Sequence, residues 1–242
     1  MRKIMVVAVA ALLLLVPAAV IAQEWTEVKD EKVTVNEFFA MGRFISLKPV
    51  NDFLANNGFG SLGDNPMMYG VTTKNKAGDK VYWGLSAGTT IGEGIFNILA
   101  PNLIERNISR IGTDTVTNRA EFNMMFAEGI FEYEIVKLGG FSVAAGMGIG
   151  FGGASITVIG DNGGRYRKLS FLVNPVASAK YHFFEESGGG VIVSFTASYD
   201  YYPNIYWWPA EAGTLPQPDA FDMTGASVWV SVGIPVTEIK EK

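Results

Sequence analysis

Between Phe141 and Tyr201 the chain alternates, residue by residue, between large apolar side chains and small or polar ones. In the last of these runs Val191, Val193, Phe195, Ala197, Tyr199 and Tyr201 share one parity. Ser194, Thr196, Ser198 and Asp200 share the other, and only Ile192 breaks the polar side. Upstream, Leu169, Phe171, Val173, Ala177, Ala179, Tyr181 and Phe183 oppose Ser170, Asn174, Ser178, Lys180 and His182. Pro175 falls inside that run and predicts a bulge or a local break in the ladder, because it has no N–H to give. From Phe141 to Phe151, Phe141, Val143, Ala145, Met147, Ile149 and Phe151 oppose Ser142, Ala144 and a series of glycines, Gly146, Gly148, Gly150 and Gly152. Period two kept up over such lengths belongs to strands and excludes an amphipathic helix.

Five further runs complete a set of eight strands. Glu121 to Val136 is long, but its phase slips: Phe122, Met124 and Phe126 have one parity, Phe131, Tyr133 and Ile135 the other. A bulge near Ala127 to Gly129 would reconcile them. Val81 to Thr89 and Pro66 to Thr73 read as a hairpin, Ala226 to Ile234 as a closing strand, and Val33 to Leu47 as the weakest member. Pro49 to Asn57 alone has helical spacing, with Val50, Phe53 and Leu54 on one stripe and Asn57-Gly58 as a stop. That helix could cap a barrel, lie on a membrane surface, or tuck into the lumen opposite the glycine-rich strand.

The connections alternate in length. Lys74 to Asp79, Lys137 to Gly140 and Glu185 to Gly190 are brief, while Lys48 to Asn65, Ile91 to Asn118 and Pro203 to Ala220 are long; Gly160 to Arg167 is intermediate. Short turns at one end and long loops at the other are the asymmetry of barrels that cross a membrane, with the short turns periplasmic.

The first 22 residues have the layout of a signal peptide: basic Arg2 and Lys3, an apolar run from Ile4 to Val16, and the small-residue ending Val20-Ile21-Ala22. Pro17 and that ending speak against a retained anchor. Cleavage would leave 23–242 as one domain, with 17 basic against 24 acidic residues and a net charge of −7. An acidic chain of this kind is a poor partner for nucleic acid. The absence of cysteine removes disulfides and thiolate metal sites. No apolar run after the leader is long enough for a membrane helix, so a membrane-embedded form would have to be a closed barrel.

With its leader, eight alternating strands and loop asymmetry, the chain resembles the small eight-stranded outer-membrane β-barrel proteins of bacteria. Gly225 followed by Val228 and Val230 loosely matches the last-strand signal of that class. The ending Thr237-Glu238-Ile239-Lys240-Glu241-Lys242 departs from the terminal aromatic usual there. The resemblance implies an all-β, antiparallel up-and-down transmembrane barrel in the outer membrane, with surrounding lipid and the barrel-assembly machinery as its partners.

Candidate chemistry is sparse, and no catalytic, cofactor or metal site is expected. Gly148-Ile149-Gly150-Phe151-Gly152-Gly153 fits the dinucleotide fingerprint, but that motif needs a strand-to-helix turn and here it continues a strand. The glycines instead predict inward space, filled by aromatic rings from neighbouring strands or by something within the lumen. Glu128, Glu132 and Glu134 share a parity and, with Lys180 and His182, form a candidate lumen charge network; Arg119, Arg167 and Lys168 are further partners. Buried charges must be paired, so an internal ion-pair network is the bland reading and a cation path or acid–base site the sharp one. His182, the only histidine, would have to serve any Ser/His mechanism and lies near the short turns. Tyr199, Tyr201, Tyr202, Tyr206, Trp207 and Trp208 crowd the far end of the seventh strand and read as an interfacial girdle. Phe141 and Phe183 are candidates for the opposite one.

The function this supports is a non-enzymatic outer-membrane barrel with a structural or surface-interaction role. The alternatives are a narrow transporter or a barrel holding a small or lipidic ligand, a lipid-modifying enzyme working through His182, and a soluble periplasmic ligand-binding barrel with its faces inverted. An eight-stranded barrel is too narrow for bulk diffusion.

Overall fold

The alternating runs become eight long strands wound into a ring. A computed structural model describes residues 31–63, 65–90, 108–110, 119–159, 164–184, 190–203, 208–211, 218–219 and 221–239. The leader, most of the second and third long loops, and the tip of the turn after residue 184 lie outside them. The elements are β1 (Glu31–Phe44), α1 (Lys48–Asn56), β2 (Met67–Ala77), β3 (Val81–Thr90), β4 (Ile108–Arg110), β5 (Arg119–Leu138), β6 (Phe141–Ile159), β7 (Gly164–Phe183), β8 (Val191–Asp200), β9 (Trp208–Glu211) and β10 (Gly225–Ile239). Strands β1, β2, β3, β5, β6, β7, β8 and β10 pair antiparallel in that order, and β10 pairs back onto β1. This is a closed, all-β, up-and-down barrel of eight strands with one short helix. The two short strands are appendages: β4 extends the free end of β5, and β9 that of β7.

Three local expectations change. No bulge lies at 127–129. The β5–β6 register runs unbroken from Arg119 to Glu134 and shifts only between Glu134 and Val136. Phe122, Met124, Phe126, Glu128, Ile130, Glu132 and Glu134 therefore all face the lumen, and what changes along β5 is the character of the lumen, not the phase of the strand. Second, the fifth connection is tight: β6 reaches Ile159 and β7 starts at Gly164. Third, β2 runs on to Ala77, so Lys74 belongs to a strand and not to a turn. Pro175 interrupts only the β7–β8 ladder. Pairing ends at Val176↔Ser198 and resumes in the same register at the Val173↔Tyr201 bridge, while β6–β7 pairing passes Pro175 undisturbed.

The lipid-type parity points outward on every long strand. Phe38 is 71% exposed, Leu85 70%, Phe195 54% and Ile234 59%, and Phe151, Phe171 and Val230 continue the belt. Inside, the half of the lumen at the long-loop end is apolar. Phe39, Met41, Phe122, Met124, Phe126, Ile156, Phe221, Met223 and Trp229 form one cluster there. Helix α1 closes it, because Val50, Phe53 and Leu54 fall on one stripe and are all buried. Phe53 meets Tyr166 edge-on at 5.6 Å. The Asn51 side chain accepts the Leu62 N–H at 2.7 Å and ties the returning loop to the helix. The helix thus caps the lumen from within its long-loop end.

The lumen glycines have specific occupants. A Cβ on Gly88 would stand 2.7 Å from the Phe126 ring and 3.0 Å from that of Phe39. Those two rings stack at 6.0 Å. Gly88→Ala should therefore overpack the layer and cost about 1–3 kcal/mol. Pairing it with Phe126→Leu should restore much of the loss in urea refolding titrations; a double variant no better than the sum of the singles would refute this packing account.

Candidate functional site: a charge-filled lumen

Below the apolar cluster the inward positions turn polar, and two ion-pair networks occupy the space. The deeper one joins four strands. Lys74 on β2 stands 3.0 Å from Glu37 on β1 and 3.0 Å from Glu132 on β5, and Lys180 on β7 reaches Glu132 at 2.5 Å. Ser178 donates to Glu132 at 3.4 Å and Ser194 to Glu37 at 3.3 Å. Glu132 is 1% exposed, so its charge is held by these partners and not by water. Lys180 also lies over the Tyr82 ring, 5.1 Å from its centroid.

The second network sits under the apolar cluster. Arg43, 1% exposed, pairs with Asp200 at 3.0 Å. Its other guanidinium nitrogen donates to the Tyr202 hydroxyl at 3.2 Å, and a further bond goes to the Met223 carbonyl at 3.1 Å. Asp200 also accepts from Ser227 at 2.5 Å, Ser198 at 2.7 Å and the Asn174 amide at 3.4 Å. Burial pushes the Tyr202 phenol up to about 12, so it serves Arg43 as a neutral hydroxyl. Nearer the long-loop end Lys168 donates to the Phe221 carbonyl and lies 5.7 Å from the centroid of that ring.

The candidate residues are thus distributed over more than one place. Glu132 and Lys180 meet directly. Glu128 is buried beside Asn174, and both crowd the space a Cβ on Gly148 would need. Glu134 and His182 line the short-turn mouth with Lys180. A side chain on Gly146 or Gly150 would strike the neighbouring β5 backbone, and one on Gly152 would strike the Tyr202 ring. No part of α1 takes that glycine space. Arg167 is exposed on the outer surface and Lys168 serves Phe221, so neither joins the glutamates; the side chain of Arg119 lies outside the described residues.

Tyr199 and Tyr201 are outward and about half exposed, whereas Tyr202, 2% exposed, turns inward onto Arg43 and does not belong to a girdle. Tyr206 and Trp207 lie outside the described residues, as does the side chain of Trp208. Lys74, Glu37, Arg43 and Asp200 are the network members that strand parity did not single out. Asp200 lies on the polar side of its run, and Glu37 and Arg43 share the inward parity of β1 with the apolar Phe39 and Met41.

No family model matches this chain, and no curated protein matches its sequence. Solved structures match by shape. Neisserial surface protein A is 10% identical, with 86% of this chain and 97% of that chain covered at a TM-score of 0.46. Ail, the attachment invasion locus protein of Yersinia pestis, is 10% identical, with 86% and 100% covered at 0.46. A major outer membrane protein from Thermus thermophilus is 9% identical, with 87% and 100% covered at 0.49. The chain shares with them a closed antiparallel barrel of eight wall strands. Likeness at this level concerns strand arrangement alone.

Proposed function

We propose that the protein is an outer-membrane barrel that does not conduct and does not catalyse, and that acts through its long loops as a structural or surface-interaction element. The observation that carries this is the inverted polarity of the wall. Large apolar side chains cover the outside, and five acidic and three basic side chains are buried inside among the described residues. A soluble barrel with this surface would hold a continuous apolar belt in water, far beyond the patches such proteins tolerate. Strand length fits as well. The shortest wall strands, β3 and β8, have 10 residues each, the length a tilted strand needs to cross the hydrocarbon layer.

The aromatic residues lie where such a belt would end. Tyr199 and Tyr201 stand toward the long loops, and Phe141, Tyr181 and Phe183 by the short turns. In this reading the leader 1–22 exports the chain, the barrel-assembly machinery inserts it, and the short turns and both termini face the periplasm. Against conduction stand the two ion-pair networks and the helix-capped apolar cluster, stacked along one lumen. Against a hydrolase stands the position of His182 at the short-turn mouth.

The test is cell fractionation, with gel migration compared before and after boiling, followed by planar-bilayer recording. The expected result is recovery in the outer membrane, a folded band that shifts on heating, and no unitary conductance. A soluble periplasmic monomer would overturn the membrane reading, and steady single-channel steps would overturn the closed lumen.

A further inference from the structure

The apolar belt is interrupted on the outside of β1 and β2. Thr34 and Asn36 on β1 and Thr73 and Asn75 on β2 have the outward parity; Asn36 and Thr73 are exposed, Thr34 and Asn75 half-buried. They form two rungs of the ladder, Thr34 opposite Asn75 and Asn36 opposite Thr73. In each rung the hydroxyl donates to the amide oxygen, at 2.9 Å from Thr34 to Asn75 and 3.0 Å from Thr73 to Asn36. Neither amide NH2 group has an acceptor among the described residues. These rungs do not lie below the belt. Their register partners are Ile234 and Val236 of β10 on one side and Leu85 and Trp83 of β3 on the other, all four exposed and apolar. Strand tilt makes the ladder climb. The line of partners that leaves β10 at Val236 passes Thr34, Asn75, Trp83, Phe131 and Met147 and, past β7 and β8, rejoins β10 at Ala226, nearer the long loops. Asn36 thus stands farther from the short turns than Ile234, and Thr34 than Val236, inside the band that these neighbours mark.

With the wall in lipid, as proposed for this protein, hydrocarbon has no acceptor for these amides, and an unsatisfied polar group there is costly. We propose that the β1–β2 wall is the interface through which two copies of this chain pair within the membrane. The patch has no charged side chain, so like copies do not repel. Each asparagine sets spare donors beside oxygens that still have lone pairs, which makes the patch complementary to itself. Two copies inserted by one route share an orientation, so their twofold axis runs along the membrane normal and brings equal depths together. Asn36 and Asn75 then meet the same residues of the second copy, and hydrogen bonds between walls satisfy the amides. Phe38, Val71, Ile234 and Leu85, all exposed, frame the rungs with apolar surface and seal them from lipid. A phospholipid head group would reach such amides at the edge of the belt, and these stand inside it.

The chain has no cysteine, so Phe38→Cys in the full-length protein carries a lone thiol. Mild oxidation of native outer membranes should link two copies through it, whereas Phe171→Cys, on β7 across the ring, should stay monomeric. The purified barrel in neutral-detergent micelles should sediment as a monomer–dimer equilibrium. Asn36→Leu with Asn75→Leu should raise its dissociation constant at least about tenfold. Leucine suits a lipid-facing wall, so the double variant should keep the heat-shifted migration of a folded barrel. A folded wild-type chain that is monomeric in both micelles and native membranes overturns the proposal. So does unchanged association in the double variant, or a cross-link formed from Phe171→Cys and not from Phe38→Cys. A wild-type monomer that retains phospholipid, lost in the double variant, assigns the patch to lipid and overturns it as well. A chain recovered soluble, without a folded band in micelles, counts against the membrane reading. A folded, embedded monomer counts against this pairing alone.

Discussion

Asp200→Ala should cost the barrel about 3–5 kcal/mol, the scale on which removal of one partner from a buried ion pair destabilises a protein. The carboxylate is 3% exposed and gathers Arg43, Ser198, Ser227 and Asn174. Without it the Arg43 guanidinium, 1% exposed, would keep only a phenol and a carbonyl as neutral acceptors. The desolvation cost of that charge is offset by Asp200. Removing both charges together, as Arg43→Met with Asp200→Leu, should be far milder than the single change, because an apolar pair leaves no orphaned ion. Urea titration of refolding into liposomes gives both numbers. If Asp200→Ala loses less than about 1 kcal/mol, the pair is solvated and the lumen is not closed at this level.

Phe195→Arg addresses the outside of the same wall, with an expected cost of about 2–4 kcal/mol in a bilayer. Phe195 lies midway along β8, opposite Ala179 on one side and Val230 on the other, with more than half of its surface outward. The change touches no lumen contact, so the cost has to come from putting a guanidinium into hydrocarbon. Were this face in water, an exposed Phe-to-Arg change would fall within about 0.5 kcal/mol of neutral. Depth provides the internal control. The same substitution at Phe183, by the short turns, should cost only about 0–1 kcal/mol, because arginine there reaches the interface. Equal and small effects at both positions would sink the belt.

How much of this was legible depended on whether a strand contrasts its two faces. Strands β6, β7 and β8 set large apolar residues outward against Ser, Gly, Asn and Thr inward, and period two alone located them. Strand β5 misled because its inward face is Phe122, Met124 and Phe126 near α1 and then Glu128, Glu132 and Glu134 farther down. An assumed polar lumen turned that change of medium into a change of phase. Strand β1 is weak for the same reason, since Glu37 and Arg43 alternate inward with Phe39 and Met41. Lys74 was lost because Thr73 and Asn75 flank it, so that this end of β2 shows no contrast between its faces. The helix stripe of Val50, Phe53 and Leu54 was readable, but its seat on Tyr166 was not. Parity tells which residues share a face. Which of them touch is set by ring closure and stagger, and Glu37, Lys74, Glu132 and Lys180 meet from strands far apart in sequence.

The seam between β1 and β10 has a kinetic consequence. Neighbours such as β5 and β6 meet across a turn of two residues, Gly139 and Gly140, but the seam joins Phe44 to Ala226 and Glu31 to Ile239. Contacts between distant parts of a chain must meet the loop-closure entropy before they return any stabilisation, and folds that depend on them form slowly. The hairpins of the middle of the chain therefore have a head start, and the first and last strands wait as unpaired edges until the chain is complete. A nascent barrel is an open, curling sheet with two sticky margins, and its last strand turns it from a hazard for its neighbours into a sealed ring.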